Sequence, residues 1–250
     1  NANPRPMYFS QVRIDPTNPN VIYVGAPAGG MWKSTNGGLS WNTTTDNLAS
    51  IGVSEVVVDY SNPNIVYIGT GDNDAGDTYS IGVLKSLDGG QTWNVTGLSF
   101  LTTQSARVTK MLIHPTNPQI LYAGTNTGVF KTLDGGTNWF KLFTGGVKDL
   151  EFKPGDPNVV YMSTATSFYK SSNGGINFYL VSGGLPGSGS SSRLAIAVTP
   201  ANPNYVYVLA SRNSNNGFLG LYRSTNSGNS FGIQSNSPNL LGWDPSGGDT

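Results

Sequence analysis

The sequence contains no cysteine and a single histidine, His114. The first absence excludes disulfides, zinc–cysteine centres and thiol nucleophiles, and the second excludes a histidine metal cluster. Charge is also scarce: Asp, Glu, Lys and Arg make up 11% of 250 residues, with 14 basic groups balancing 14 acidic ones. So little charge, so evenly balanced, gives no footprint for a nucleic-acid backbone and no basic patch for anionic lipid. No apolar run reaches the roughly 18 residues that a membrane-spanning helix needs. No window holds a 3.6-residue apolar period over three turns, so helices are not expected. The first residues show no signal-peptide pattern, and Asn1 reads as a processed or trimmed start.

Turn formers fill the gap. Gly (33) and Pro (15) are abundant, alongside Asn, Ser and Thr. This low-charge, cysteine-free composition is common in secreted bacterial β-proteins, and it sets the expectation of a secreted or cell-surface location.

Two motifs repeat in fixed order. The first is Asp15-Pro-Thr-Asn-Pro-Asn-Val-Ile-Tyr23, with counterparts ending at Tyr67, Tyr122, Tyr161 and Tyr207. The second is Ser34-Thr-Asn-Gly-Gly-Leu-Ser-Trp41, which returns as Ser86–Trp93, Thr132–Trp139, Ser171–Phe178 and Ser224–Phe231. The second prolines of the first motif, from Pro19 to Pro203, recur on average every 46 residues. Each period reads as four short strands; in the first copy these are about 8–14, 21–26, 31–34 and 39–44. An Asn-Pro turn joins strands one and two, and a Gly-Gly hairpin needing positive φ joins strands three and four. Four strands every 40 to 50 residues is the blade of a β-propeller, so the fold class is all-β with four-stranded antiparallel blades. The blades are expected at about 8–45, 52–97, 105–142, 146–182 and 192–234. Residues 235–250 begin a further blade or a linker.

The pattern Ser/Thr-x-Asp/Asn-x-Gly-x-x-Trp/Phe resembles the Asp-box, or BNR repeat. That repeat occurs in sialidases, family 74 xyloglucanases, sortilin (Vps10) propellers and photosystem II assembly propellers. Joined to the Asn-Pro motif, it is most similar to the sortilin-like and family-74-like propellers of type IX-secreted Bacteroidota-type proteins. Such propellers have six to eight blades, so the resemblance implies that these five belong to a ring of about seven, completed by remaining blades of a parent chain. The box residues Asn36, Trp41, Asp88, Trp93, Asp134, Trp139, Asn173, Phe178, Asn226 and Phe231 read as hairpin locks. Asp and Asn exchange freely among them, which a catalytic carboxylate would not permit.

Both motifs lie at one end of the strands, so the variable loops lie at the other, where function is expected. The longest insertions between strands two and three follow Tyr67 and Tyr207. The first contains Asp72, Asp74 and Asp77 in a Gly-rich loop, a donor set suited to calcium although not in EF-hand spacing. Aromatics in these loops, Tyr79 and Phe218, would stack sugars if exposed; Arg107 and Arg193 lie near the same strand starts. Along the first strands, Gln11, Glu55, Lys110, Asp149 and Ala195 occupy one register, in which the polar residues could ring a channel. The adjacent register of Val12, Val56, Met111, Leu150 and Ile196 is expected in the core.

Glu55 and Asp149 are the candidates for acid–base work on a glycoside. The resemblance to the hydrolases thins at the residues that matter. In Tyr23-Val-Gly-Ala-Pro-Ala-Gly-Gly30, Pro27 occupies the place where the xyloglucanase pattern has a catalytic Asp. The six arginines form no recognisable sialidase triad, Arg5-Pro6 is a poor echo of the sialidase opening, and the glutamates are only Glu55 and Glu151. The expected function is a non-catalytic module binding a glycan or extracellular protein. The alternatives are a glycoside hydrolase with unusual catalytic positions, and a sortilin-like or assembly-factor-like peptide-binding propeller.

Overall fold

The structure of the protein, a computed structural model, describes residues 11–50, 52–73, 76 and 78–242. Five antiparallel sheets of four strands each make up these residues, with one turn of 3-10 helix at Thr102–Gln104. They fall into two units, residues 1–144 and 145–250.

The first unit holds three sheets. The first comprises β1 (Gln11–Ile14), β2 (Ile22–Ala26), β3 (Gly30–Ser34) and β4 (Asn42–Thr43). The second comprises β5 (Val53–Val58), β6 (Val66–Thr70), β7 (Gly82–Ser86) and β8 (Asn94–Ser99). The third comprises β9 (Val108–Ile113), β10 (Leu121–Thr125), β11 (Gly128–Thr132) and β12 (Phe140–Thr144). In the second unit, β13 (Asp149–Lys153), β14 (Asp156–Ser163), β15 (Phe168–Ser171) and β16 (Tyr179–Val181) form one sheet. The other is β17 (Ser191–Val198), β18 (Val206–Arg212), β19 (Phe218–Ser224) and β20 (Gly232–Ser235). Every sheet pairs its strands in chain order, the meander of a propeller blade.

Neighbouring sheets pack face to face through period-2 alternation. Tyr23 and Met31 on one face of the first sheet meet Val56, Val66, Ile68 and Leu84 of the second, all at most 1% exposed. Val57, Tyr67 and Val83 of the second sheet meet Val108, Met111, Leu121 and Ala123 of the third. In the second unit, Tyr161 and Phe168 meet Leu194, Ile196, Val208 and Tyr222.

Three expectations need correction. Val12 is not core: it is 53% exposed, and Ile14 56%, because no other sheet of its own unit packs on the face of β1 that carries them. The fourth strand of the first blade is only Asn42–Thr43, because residues 36–41 are consumed by the box hairpin. The turn before Tyr161 is not an Asn-Pro turn like the others. Lys153 pairs with Asp156 across Pro154-Gly155, Gly155 has φ 78, and Pro157 lies within β14.

Candidate functional site

The motif end of the strands is built from hydrogen bonds that recur sheet after sheet. In each box the Asp or Asn Oδ1 accepts from the hydroxyl two residues earlier and from the amide four residues later. For Asp88 these are Ser86 Oγ at 2.6 Å and Thr92 N at 2.9 Å; for Asn36, Ser34 Oγ at 3.0 Å and Ser40 N at 2.9 Å. Asp134, Asn173 and Asn226 repeat the pair. These bonds favour the charged form, so they hold the Asp88 carboxyl far below the ordinary range and bring Asp134 down to about 2. Trp41 and Trp139 each donate Nε1–H to the second box glycine carbonyl, at 3.0 and 3.1 Å. Trp93 instead reaches Thr44 Oγ1 at 3.1 Å, in the preceding sheet. Phe231 packs edge-on to Phe168 with ring centroids 4.9 Å apart, whereas Phe178 lies in the hairpin that precedes β16.

The two turns at this end are tied together. Gly37 N donates to Asn20 O at 2.9 Å, and Gly89, Gly135, Gly174 and Ser227 donate to Asn64, Gln119, Asn158 and Asn204 at 2.7–2.9 Å. His114 serves one of these turns, accepting at Nδ1 from Thr116 N (3.3 Å) and Asn117 N (3.2 Å). Asp15 and Asp59 accept the equivalent amides through Oδ1.

A second device escaped the sequence reading. Tyr23 Oη and Lys33 Nζ both donate to the carbonyl of Gly89, the first box glycine of the next sheet, at 3.2 and 2.7 Å. Tyr67 and Lys85 grip Gly135 in the same way, at 3.1 and 2.9 Å. Burial raises the Tyr23 hydroxyl to about 12 and raises that of Tyr67 further. Two residues beyond each of these tyrosines stands Gly25 or Gly69. A Cβ at Gly25 would lie 2.8 Å from Val53 Cγ1, and one at Gly69 would lie 2.5 Å from Val108 Cγ1. The recurring Tyr-x-Gly and Lys-Ser/Thr steps were the available signal; their partners lie in the next repeat.

At the opposite end, little recurs beyond the bond from the Thr70 and Thr125 hydroxyls to the Gly82 and Gly128 carbonyls. Asp72 is fully buried in the insertion after β6, and its amide donates to Thr78 O at 2.9 Å. Asp74 and Asp77 lie outside the described residues. No group of three metal-ligating side chains occurs among the described residues. The charge beside this loop is a cation: a Cβ at Gly76 would lie 3.1 Å from the Arg107 guanidinium carbon. Arg107 also stacks on Tyr79, 5.6 Å from the ring centroid, and its amide donates to Asn126 Oδ1 at 2.9 Å. Ser50 Oγ donates to the Tyr79 carbonyl at 2.8 Å, and Thr78 Oγ1 to that of Pro27 at 3.3 Å. Tyr79 is thus held at its backbone, and the residue is 39% exposed.

The other candidates are committed to the framework. Phe218 is 8% exposed and offers no ring to a ligand; the insertion after Tyr207 is absorbed by lengthening β18 and β19 to seven residues each. Glu55 is 2% exposed and faces Arg13 at 3.4 Å. Both Asp149 oxygens accept backbone amides, Leu150 N at 2.9 Å and Ile196 N at 2.8 Å, which joins β13 to β17. Arg193 is exposed on β17 beside a bulge.

Comparisons with known proteins give the fold a context. No family model matches the chain, and no curated protein matches it. Solved structures do. An ancestral GH74 enzyme is 23% identical with a TM-score of 0.74, covering 89% of this chain and 30% of its own. The GH74 xyloglucanase of Xanthomonas campestris is 16% identical (TM-score 0.58), and the GH74 enzyme of Niastella koreensis 19% (TM-score 0.56). Each covers 89% of this chain and 44% of its own. The fold is that of a GH74-like β-propeller. At these identities the likeness is one of architecture, and the chain spans less than half the length of these three GH74 proteins.

Proposed function

We propose that this chain is a non-catalytic, secreted or cell-surface bacterial propeller module that binds a glycan or extracellular protein on its loop face. The observation that carries the reading is Tyr79. It is a part-exposed aromatic residue stacked by Arg107 and fixed at its carbonyl by Ser50, so its exposed part can stack a sugar ring or an apolar side chain at little entropic cost. The carboxylates considered for acid–base work are engaged: Glu55 is buried against Arg13, and Asp149 accepts two amides. Retention on immobilised xyloglucan, β-glucans and sialylated glycans, measured beside reducing-end release, tests the proposal. Retention without release, lost in Tyr79→Ala, supports it. Release abolished by Glu55→Gln or Asp149→Asn would make the protein a hydrolase instead.

The exposed faces of Val12 and Ile14 favour a second element of the reading, in which further blades of the same parent chain cover this sheet. Their counterparts Val56 and Met111, in sheets that have a neighbour, are at most 2% exposed. A longer stretch of the parent chain should then melt above residues 1–250 alone; equal melting would count against covering blades.

A further inference from the structure

The chain contains three Asn-Gly steps, Asn36-Gly37, Asn173-Gly174 and Asn216-Gly217. Glycine carries no side chain to hinder its own nitrogen, so each step is chemically open to succinimide formation. The fold treats them differently. At the two box steps the glycine nitrogen, which would be the nucleophile, donates to a main-chain carbonyl: Gly37 to Asn20 at 2.9 Å and Gly174 to Asn158 at 2.7 Å. The Asn carboxamide is held as well, its Oδ1 between a hydroxyl and an amide of the same hairpin. Attack requires breaking the tie between two turns and the box network together.

Asn216 sits on the hairpin between β18 and β19, exposed, with φ 58 in the left-handed region. Its Gly217 nitrogen, though buried, donates to the side chain of Asn215 at 3.0 Å rather than to a main-chain carbonyl. Its Oδ1 accepts a hydrogen bond from Ser192 Oγ at 2.8 Å, and that hydroxyl lies 2.9 Å from Ser211 Oγ. A hydroxyl donated to Oδ1 polarises the carboxamide and stabilises the oxyanion that attack creates.

We propose that Asn216 is a spontaneous modification site, deamidating while the box asparagines are protected. Hydroxide removes the Gly217 amide proton, and the nitrogen attacks Asn216 Cγ. Water returns a proton to the side-chain nitrogen, its bond to Cγ breaks, ammonia leaves, and a succinimide closes. Water opens the ring at either carbonyl to give aspartate or isoaspartate, with no change of oxidation state. The product places a new carboxylate on the loop end of the fifth sheet, next to a backbone bonded to Arg212 (Asn216 N to Arg212 O, 2.8 Å).

The test is peptide mapping of the full chain, aged at mildly alkaline pH, with fragmentation that separates aspartate from isoaspartate. Conversion at Asn216 should exceed that at Asn36 or Asn173 by about tenfold or more, because opening a hairpin tip costs less than opening a box. In urea the three rates should converge. Ser192→Ala should slow conversion at Asn216 alone. Equal rates at all three sites in the folded chain, or a box asparagine converting first, would overturn the proposal. So would Asn216 remaining intact while the urea-treated sample converts.

Discussion

The two strand ends of residues 11–144 follow opposite plans. At the motif end each sheet repeats a box carboxylate or carboxamide accepting from its hairpin and a glycine amide tied to the preceding turn, and the first two sheets add a tyrosine–lysine grip on the next sheet's glycine carbonyl. At the loop end one bond recurs, from the Thr70 and Thr125 hydroxyls to the Gly82 and Gly128 carbonyls at 2.7 and 2.9 Å, and the rest differs from sheet to sheet. There, Asp72 is buried in a Gly-rich insertion, Arg107 backs Tyr79, and Pro27 accepts from Thr78. Uniform chemistry in every repeat answers a need that every repeat shares, which is attachment to its neighbour. Chemistry that appears once is free to serve a ligand.

That contrast can be broken most forcefully at Gly69. Gly69→Leu would drive a side chain into Val108 and Met111, where even a Cβ lies 2.5 Å from Val108 Cγ1. We expect a loss of about 3 kcal/mol in urea denaturation. A near-neutral result would mean that the sheets can separate and that the close approach is incidental.

Next is the box itself. Asp88→Ala removes the acceptor for the Ser86 and Thr92 hydroxyls and two amides, and should cost about 1 kcal/mol, since the group is exposed and solvent-screened. Asp88→Asn should cost less, because Asn36 makes the same pair of bonds. The folded carboxyl is held below its unfolded value, so its contribution is present above about pH 4 and is lost as pH falls further. The Asn variant should not show this acid dependence.

A smaller effect is expected at His114. Burial first, and the Lys131 charge second, lower its affinity for a proton in the folded state. Its Nδ1 must stay unprotonated to accept the two turn amides. The unfolded chain therefore binds the proton more readily. Stability is full above about pH 6.5 and declines as pH drops below it. His114→Asp, which restores the residue type found at Asp15 and Asp59, should flatten a melting-temperature profile between about pH 5 and 7.

Least of all should Tyr79→Ala disturb the fold. The residue is part-exposed and its anchor is a backbone carbonyl, so the melting temperature should stay within experimental scatter while ligand retention is lost. A large fall in melting temperature would move Tyr79 from the ligand-facing side of the comparison to the structural side.

Much of this architecture was legible because repetition reports on local geometry. The Gly-Gly of four boxes requires positive φ, as at Gly37 and Gly38 (φ 69 and 90), the fifth adopts it with Ser227 and Gly228 (φ 58 and 73), and the requirement is visible in one repeat. The blade-four turn was misread because Pro154-Gly-Asp-Pro157 keeps the composition of an Asn-Pro turn while Gly155 makes a tighter one. Phe218 was misplaced because an insertion can lengthen two strands as readily as a loop, and length alone does not distinguish them. Glu55 and Asp149 drew attention as carboxylates, yet their partners come from elsewhere in the chain: Arg13 lies 42 residues from Glu55, and Ile196 47 from Asp149.

The sequence by itself determined the unit, four strands with a proline-containing turn between the first two and a Gly-rich hairpin between the last two, because those features depend on φ preferences and bonds within a few residues. Only the tertiary structure decided what each exceptional residue does. Tyr23 and Lys33 find the Gly89 carbonyl 66 and 56 residues away, and Tyr79 finds Arg107 across two sheets. Contacts between repeats depend on how sheets face one another, and no period within a repeat encodes that.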